Sequence, residues 1–443
     1  MRKHGWAPLT SIAVLLAVPG AGASTWPVAV LPPEQPGLTA VWEVEPTAAD
    51  DTAPREPRLR LGGVPASGLP EALVTLSRAA SAGEVAAAYG ATVAGAIPEL
   101  DLYLFSWGAV AAENGAPYAQ AGIASLARDK DVAVLEKNMV LSDPETIRRR
   151  FPVAHGHVGP GWFSEQPAVS ATRLDEAHTY SKGSGVLVAV IDTGVDPSHP
   201  LLRYHIAPFG RDFIDNDAAP WETANGIDED GDLEIDESAG HGTFVAGLVL
   251  LAAPGARVLP YRAFNDDGLG TTFTVARAIY DATRRGADVI NMSFAFQGHS
   301  PILSRLFEEA TSRGVVLVAG AGNEGAPRLL FPARHPRVVA VAAVDEIGRR
   351  AEFSNFGSNL TVGAPGVELN SALDRGRFGS WSGTSMAAPL VSGTAALLRS
   401  LDPSLSPNEL RDILRAAAAP AYSAEVPGQL DAAASVRQML EGR

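Results

Sequence analysis

The chain has 443 residues and a formal net charge of −15. An acidic chain repels phosphate backbones, which argues against nucleic acid as a partner, and this length allows two or three folded units. With no cysteine, disulfides and a lipid-modified cysteine are excluded, so an exported form would rely on its core or on bound ions.

Residues 1–23 read as a signal peptide. Arg2, Lys3 and His4 are basic, an apolar stretch including Ile12 to Val18 follows, and Ala21-Gly22-Ala23 is the small-x-small pattern of a cleavage site. Pro8 and Pro19 interrupt a stretch already short for the ~20 residues that span a bilayer, so we expect a secreted or periplasmic protein without a stable membrane anchor. Residues 24–69, rich in Pro, Ala and Gly, read as a linker.

Residues 70–142 alternate between two kinds of pattern. Ala72 to Leu76, Leu100 to Trp107 and Val132 to Leu141 read as strands, and Ala82 to Tyr89 and Ala119 to Arg128 read as helices. The expectation is a small α+β unit of ferredoxin-like type. Residues 143–169 read as a second linker. It carries Arg148-Arg149-Arg150 and a Gly-Pro loop in which His155 and His157 are read as solvated rather than as metal ligands.

From 170 to 443 apolar strands alternate with amphipathic helices. The strand-like runs are Val186 to Ile191, Val258 to Phe264, Val289 to Met292, Val315 to Ala319 and Val338 to Val344. Phe273 to Arg284 and Ile302 to Ser312 are helical. Near-continuous apolar strands suit a parallel sheet buried on both faces. The fold class is therefore α/β, a doubly wound, mostly parallel sheet, preceded by the small α+β domain.

Four residues stand out. Asp192 ends a strand and precedes the turn Thr193-Gly194, where open α/β sheets bind ligands; an Asp there is also an ordinary turn former. His241 is flanked by Gly240 and Gly242, which leave its imidazole unshielded; a buried structural histidine is the plain alternative. Ser385, in Gly383-Thr384-Ser385-Met386-Ala387-Ala388-Pro389, opens a helix. A serine there is usually just an N-cap; the position also suits a nucleophile whose oxyanion the helix terminus stabilises. Asn323, in Ala321-Gly322-Asn323-Glu324-Gly325, suits a turn or an oxyanion donor.

Taken together, Val190-Ile191-Asp192-Thr193-Gly194, His241-Gly242-Thr243, Asn323 among its glycines and Gly383-Thr384-Ser385-Met386-Ala387-x-Pro389 resemble the four signatures of the subtilisin-like serine proteases, in that family's order. The resemblance extends over about 170–435. It implies a secreted serine endopeptidase in which Ser385 attacks the peptide carbonyl and His241 carries the proton. Asp192 would orient His241, and Asn323 with the Ser385 N–H would bind the oxyanion. It also implies that substrate strands pair with Gly268, Leu269 and Gly270 on one side and Ser293, Phe294 and Ala295 on the other. The unit at 70–142 resembles the family's propeptide, an intramolecular chaperone and inhibitor, so the chain would be a self-processing zymogen cut in the second linker. Its partners would be polypeptide substrates and its own propeptide, and it would act as a monomer.

Two departures matter. Ala295 and Phe296 stand where the family usually has glycine in the wall of the primary specificity pocket. Leu201 after His199-Pro200 replaces an Asp that often binds calcium. The chemistry requires no cofactor, but a different acidic loop, with Asn225, Asp228, Asp230, Asp232 and Asp236, has the alternating oxygen ligands of a structural Ca2+ site; a solvated acidic loop is the alternative. The rival function is a non-catalytic, peptide-binding relative. An α/β-hydrolase is excluded, because no serine has glycine at both −2 and +2.

Overall fold

The computed structural model describes residues 59–60, 70–77, 80–142, 160–222, 224–229 and 233–442. Residues 1–23, read as a signal peptide, nearly all of the stretch read as the first linker, residues 143–159 and the carboxylates Asp230 and Asp232 lie outside the described residues.

The first unit is a split β-α-β repeat. Its strands are β1 (Leu59–Arg60), β2 (Glu71–Leu76), β3 (Thr92–Ile97), β4 (Leu102–Ser106) and β5 (Val132–Lys137), and its helices are α1 (Ala82–Ala88), α2 (Gly108–Asn114) and α3 (Ala116–Leu126). The sheet order is β1-β5-β2-β4-β3, antiparallel except for the short β1 beside β5. Leu59 and Arg60 thus extend the sheet from within the stretch read as linker, because the edge of β5 offers them backbone partners. The expected final strand is split. Asn138 leaves the ladder, and β6 (Val140–Ser142) restarts elsewhere.

Strand alternation gives this sheet two different faces. Ala72, Val74 and Leu76 point into a core with Val85, Phe105, Trp107, Ile123 and Leu126, under the unit's own helices. Leu73, Leu102, Leu104 and Ile97 point the other way and join the core of the second unit.

That second unit is a seven-stranded, wholly parallel sheet of order β14-β13-β12-β11-β7-β9-β8. The strands are β7 (Leu187–Asp192), β8 (Arg211–Asp212), β9 (Arg257–Arg262), β11 (Val289–Met292), β12 (Val316–Gly320), β13 (Val338–Val344) and β14 (Val362–Pro365). β10 (Leu269–Thr271) lies outside this sheet, and β15 (Leu369–Ala372) and β16 (Phe378–Trp381) form a hairpin. Helices α4 (Pro160–Ser164) and α5 (Pro167–Ala171) begin inside the expected second linker and, with α6 (Leu174–Tyr180), pack into the unit.

Alternate residues of β7 show why both faces are covered. Val188 and Val190 face α7 (His241–Ala252) and α10 (Thr384–Leu401), whereas Ala189 and Ile191 face α8 (Thr272–Arg284) and α9 (Pro301–Ser312). All residues of α7 are buried, as expected for a helix without a polar face. The chain ends with α11 (Pro407–Ala416) and α12 (Ala432–Glu441). All described residues belong to one compact unit, because the second face of the first sheet is completed by α8 and α9.

Candidate active site

Three parallel strands end side by side, and each delivers one part of the site. β7 ends on Asp192, β11 runs into Ser293, and β12 runs into Asn323. The other two groups come from helix starts: His241 is the first residue of α7, and Ser385 the second of α10. Asp192, His241, Asn323 and Ser385 are all buried.

Asp192 Oδ1 lies 2.6 Å from His241 Nδ1 and accepts the Thr193 N–H at 2.8 Å. A carboxylate only accepts, so Nδ1 carries the proton and Nε2 is the basic nitrogen. The start of α7 seats directly on the turn after Asp192. A Cβ on Gly242 would lie 2.0 Å from the Gly194 carbonyl oxygen, so only glycine fits. Trp381, four residues before Ser385, packs edge-on against His241 with ring centroids 5.2 Å apart.

The start of α10 is held by a reciprocal pair. Ser385 Oγ donates to the Ser293 carbonyl at 3.1 Å, and Ser293 Oγ donates to the Ser385 carbonyl at 2.9 Å. The second bond has a cause in the sequence. Pro389 lacks the N–H that would normally bond the Ser385 carbonyl four residues back, and the Ser293 hydroxyl takes that place. Asn291 Nδ2 in turn donates to Ser293 Oγ at 2.9 Å, and Ser392 Oγ to Asn291 Oδ1 at 2.8 Å. Asn323 Oδ1 accepts the Thr384 N–H at 3.0 Å and the Thr384 hydroxyl at 2.9 Å. That fixes the amide's orientation and turns Nδ2 to the other side as the donor.

One group near the site carries no sequence motif. Glu222 is half-buried, with its carboxylate end enclosed between the turn after Asp192 and the start of α7. Burial pushes its carboxyl up to about 7, a rise that Thr193 and Thr243 oppose by hydrogen bonding and the Asp192 charge reinforces.

The segments expected to hold substrate strands are already paired, and with this chain's own β6. Ser142, Leu141 and Val140 lie antiparallel to Leu269, Gly270 and Thr271. On the other side Ser142 bridges Ala295, whose N–H donates to the Ser142 carbonyl at 3.3 Å. Gly268 takes the left-handed φ of +69° that starts β10. Phe294 is buried against Phe264, and Phe296 is buried against Phe331, with ring centroids 5.1 Å apart in each pair.

The acidic loop is tied down by backbone. Asp236 accepts the N–H groups of Asn225 and Gly226, Asp228 accepts that of Leu233, and the buried Asp267 accepts those of Glu229 and Asp236. Among the described residues no group of three or more acidic or histidine side chains is arranged to hold a metal.

The model of the Subtilase family matches residues 183–435. The chain belongs to the subtilase family. It is 40% identical over 240 residues to a thermophilic serine proteinase of Bacillus sp. (strain AK1), a match that covers 52% of this chain and 56% of that protein. It is 36% identical over 281 residues to subtilisin E of Bacillus subtilis (strain 168), covering 60% of this chain and 69% of that one. Among solved structures, fervidolysin from Fervidobacterium pennivorans superposes with a TM-score of 0.68 over 83% of this subtilase and 61% of that chain, at 24% identity, a likeness of fold. A protease from Pseudoalteromonas arctica PAMC 21717 superposes with a TM-score of 0.57 at 31% identity, over 63% of this chain and 96% of that one. This subtilase thus spans little more than half the length of the first of these relatives.

Proposed function

We propose that this subtilase is a serine endopeptidase, exported and made as a zymogen, with Asp192, His241 and Ser385 as its triad. The observation that carries the reading is the buried 2.6 Å Asp192–His241 bond beside the start of α10, where Ser385 sits. Ser385 Oγ attacks the peptide carbonyl while its proton passes to His241 Nε2. The tetrahedral oxyanion is held by the Asn323 Nδ2–H and the Ser385 N–H. His241 then gives the proton to the leaving amine as the C–N bond breaks, and water releases the acyl group by the reverse sequence. Asp192 holds the tautomer and stabilises the imidazolium.

Residues 70–142 act as propeptide, and three contacts support this. β6 lies antiparallel to β10, as a substrate strand would. Glu136, on β5, accepts the Ser300 hydroxyl at 2.6 Å and the Ile302 N–H at 3.0 Å at the start of α9. Asn138 Oδ1 accepts the Phe273 N–H at 3.0 Å at the start of α8. The unit therefore supplies caps to two helices of the peptidase domain. Self-cleavage falls C-terminal to Ser142, within 143–165. Export rests on residues 1–23; among the described residues no helix is long and apolar enough to cross a membrane. A Ca2+ ion in the acidic loop rests on carboxylate spacing. A chelator should lower the melting temperature of the wild type but not of Asp228→Ala with Asp230→Ala; an equal drop in both moves the ion elsewhere.

The test of the activity is labelling with a covalent serine-hydrolase probe. The wild type should label and Ser385→Ala should not. An unlabelled, folded wild type that still binds peptides would favour a non-catalytic relative instead.

A further inference from the structure

Glu222 makes an unusual set of contacts for a residue in an irregular segment. Its Oε1 accepts the Thr193 hydroxyl at 2.6 Å, the Gly242 N–H at 2.9 Å and the Thr243 N–H at 3.3 Å. Its Oε2 accepts the Thr243 hydroxyl. Thr193 follows Asp192, and Gly242 and Thr243 follow His241. One carboxylate therefore grips the residue beside each member of the Asp192–His241 pair. The segment that carries it is itself fixed to the same turn: Trp221 bridges Val195, and the Glu222 N–H donates to the Val195 carbonyl at 3.1 Å.

The chemistry suits a clamp. The first N–H groups of α7 have no partner within the helix, and a carboxylate is a favourable partner at that end of the helix dipole. Thr193 Oγ1 is used on both sides, since it also accepts the Gly242 N–H at 2.9 Å. Thr243 Oγ1 in turn accepts the Asp196 N–H at 2.7 Å, so the far end of the turn is held too.

We propose that Glu222 is a positioning residue of the triad: by bridging Thr193 to Gly242 and Thr243 it fixes the distance and angle between Asp192 and His241. This deepens the reading of the chain as a serine peptidase and rests on it. Glu222 touches neither substrate nor the reacting atoms. Burial raises its carboxyl to about 7, and the carboxamide of Glu222→Gln can keep the Oε1 acceptor for Thr193, Gly242 and Thr243 while its NH2 turns to Thr243 Oγ1.

Two readouts separate positioning from plain structural support. In the matured enzyme, Glu222→Ala should lower kcat about 10- to 100-fold with little change in KM, because misplacing a catalytic pair by an ångström costs that much. Glu222→Gln should restore kcat to within about threefold of the wild type. The second readout needs neither maturation nor turnover. In the inactive Ser385→Ala precursor, the low-field proton NMR signal of His241 Nδ1–H bonded to Asp192 should shift or broaden in Glu222→Ala and persist in Glu222→Gln. A Glu222→Ala enzyme with wild-type kcat and an unmoved signal would overturn the proposal. So would variants that both melt early but leave the signal unmoved, since Glu222 would then only anchor its loop. Loss of probe labelling in the wild type would instead sink the peptidase reading, and the His241 signal would still report on the clamp.

Discussion

The two sheets of this subtilase bury themselves in different ways. The seven-stranded parallel sheet has its own helices on both faces: α7 and α10 on one, α8 and α9 on the other. The first sheet has its own helices on only one face. Its second face, with Leu73, Leu102 and Leu104, joins the core that includes α8 and α9. The contact is tight: a Cβ on Gly95 would lie 2.5 Å from Cε1 of Phe273. One sheet is covered on both faces by its own helices and the other borrows half its cover, and the unit that borrows also caps the helices it borrows from. That asymmetry suits the propeptide role proposed above for residues 70–142.

Substitutions on either side should split this pair cleanly. The largest effect belongs to Asn323→Ala, in the second unit. It should lower kcat about 10²–10³-fold, the size known for the equivalent donor of a subtilisin; because Asn323 Oδ1 also accepts the buried Thr384 N–H and hydroxyl, the precursor should melt lower as well. An Asn323→Ala enzyme of full activity removes Asn323 from the oxyanion site. Next is Glu136→Ala, in the first unit, best measured in the Ser385→Ala protein. It takes the acceptor from the Ser300 O–H and the Ile302 N–H, although Ser300 Oγ keeps the Leu303 N–H, and two buried donors that lose their acceptor cost together about 2–4 kcal/mol. The precursor's melting temperature should fall, and the kcat/KM of enzyme that has shed this unit should be unchanged. An unmoved melting temperature would mean that the caps do not bind the two units together.

The smallest effect is expected at the boundary between them. Ala295 pairs with Ser142 and stands where a pocket-wall glycine was expected. One added methyl in a close-packed pocket shifts discrimination by about 1–3 kcal/mol, which favours small or medium apolar residues before the cut bond. Ala295→Gly should gain on Phe-type substrates and lose little on Ala-type ones. A native enzyme that already cleaves best after large aromatic or basic residues contradicts this. The Phe296 ring, which the sequence left free to cover the rim or turn outward, packs on Phe331.

Much of this was legible in the chain because the chemistry is local. The runs Val289–Met292 and Val338–Val344 are strands to the residue, since a strand buried on both faces reads as one apolar block. Asp192, His241, Asn323 and Ser385 each sit at the end of such a block or the start of a helix, with glycines beside them. The rest depends on partners far away in sequence. Thr92–Ile97 is mostly exposed and broken by Gly95, so its membership of a sheet comes from β4, not from its own pattern. β6 is three residues long and has meaning only against β10. Glu222 lies in an irregular stretch, and its role exists only once the turn at Thr193 meets the start of α7. The capping box of Ser406 and Glu409 was a local signal that would have marked α11.

The most direct measurement is the mass of the Ser385→Ala protein made in a host that lacks other proteases. If the first sheet is a propeptide removed by the chain's own triad, that variant should accumulate with residues 70–142 still attached, while the wild type loses them through a cut after Ser142. A Ser385→Ala protein that matures to the wild-type mass would show that neither the triad nor the strand laid along β10 governs the cleavage.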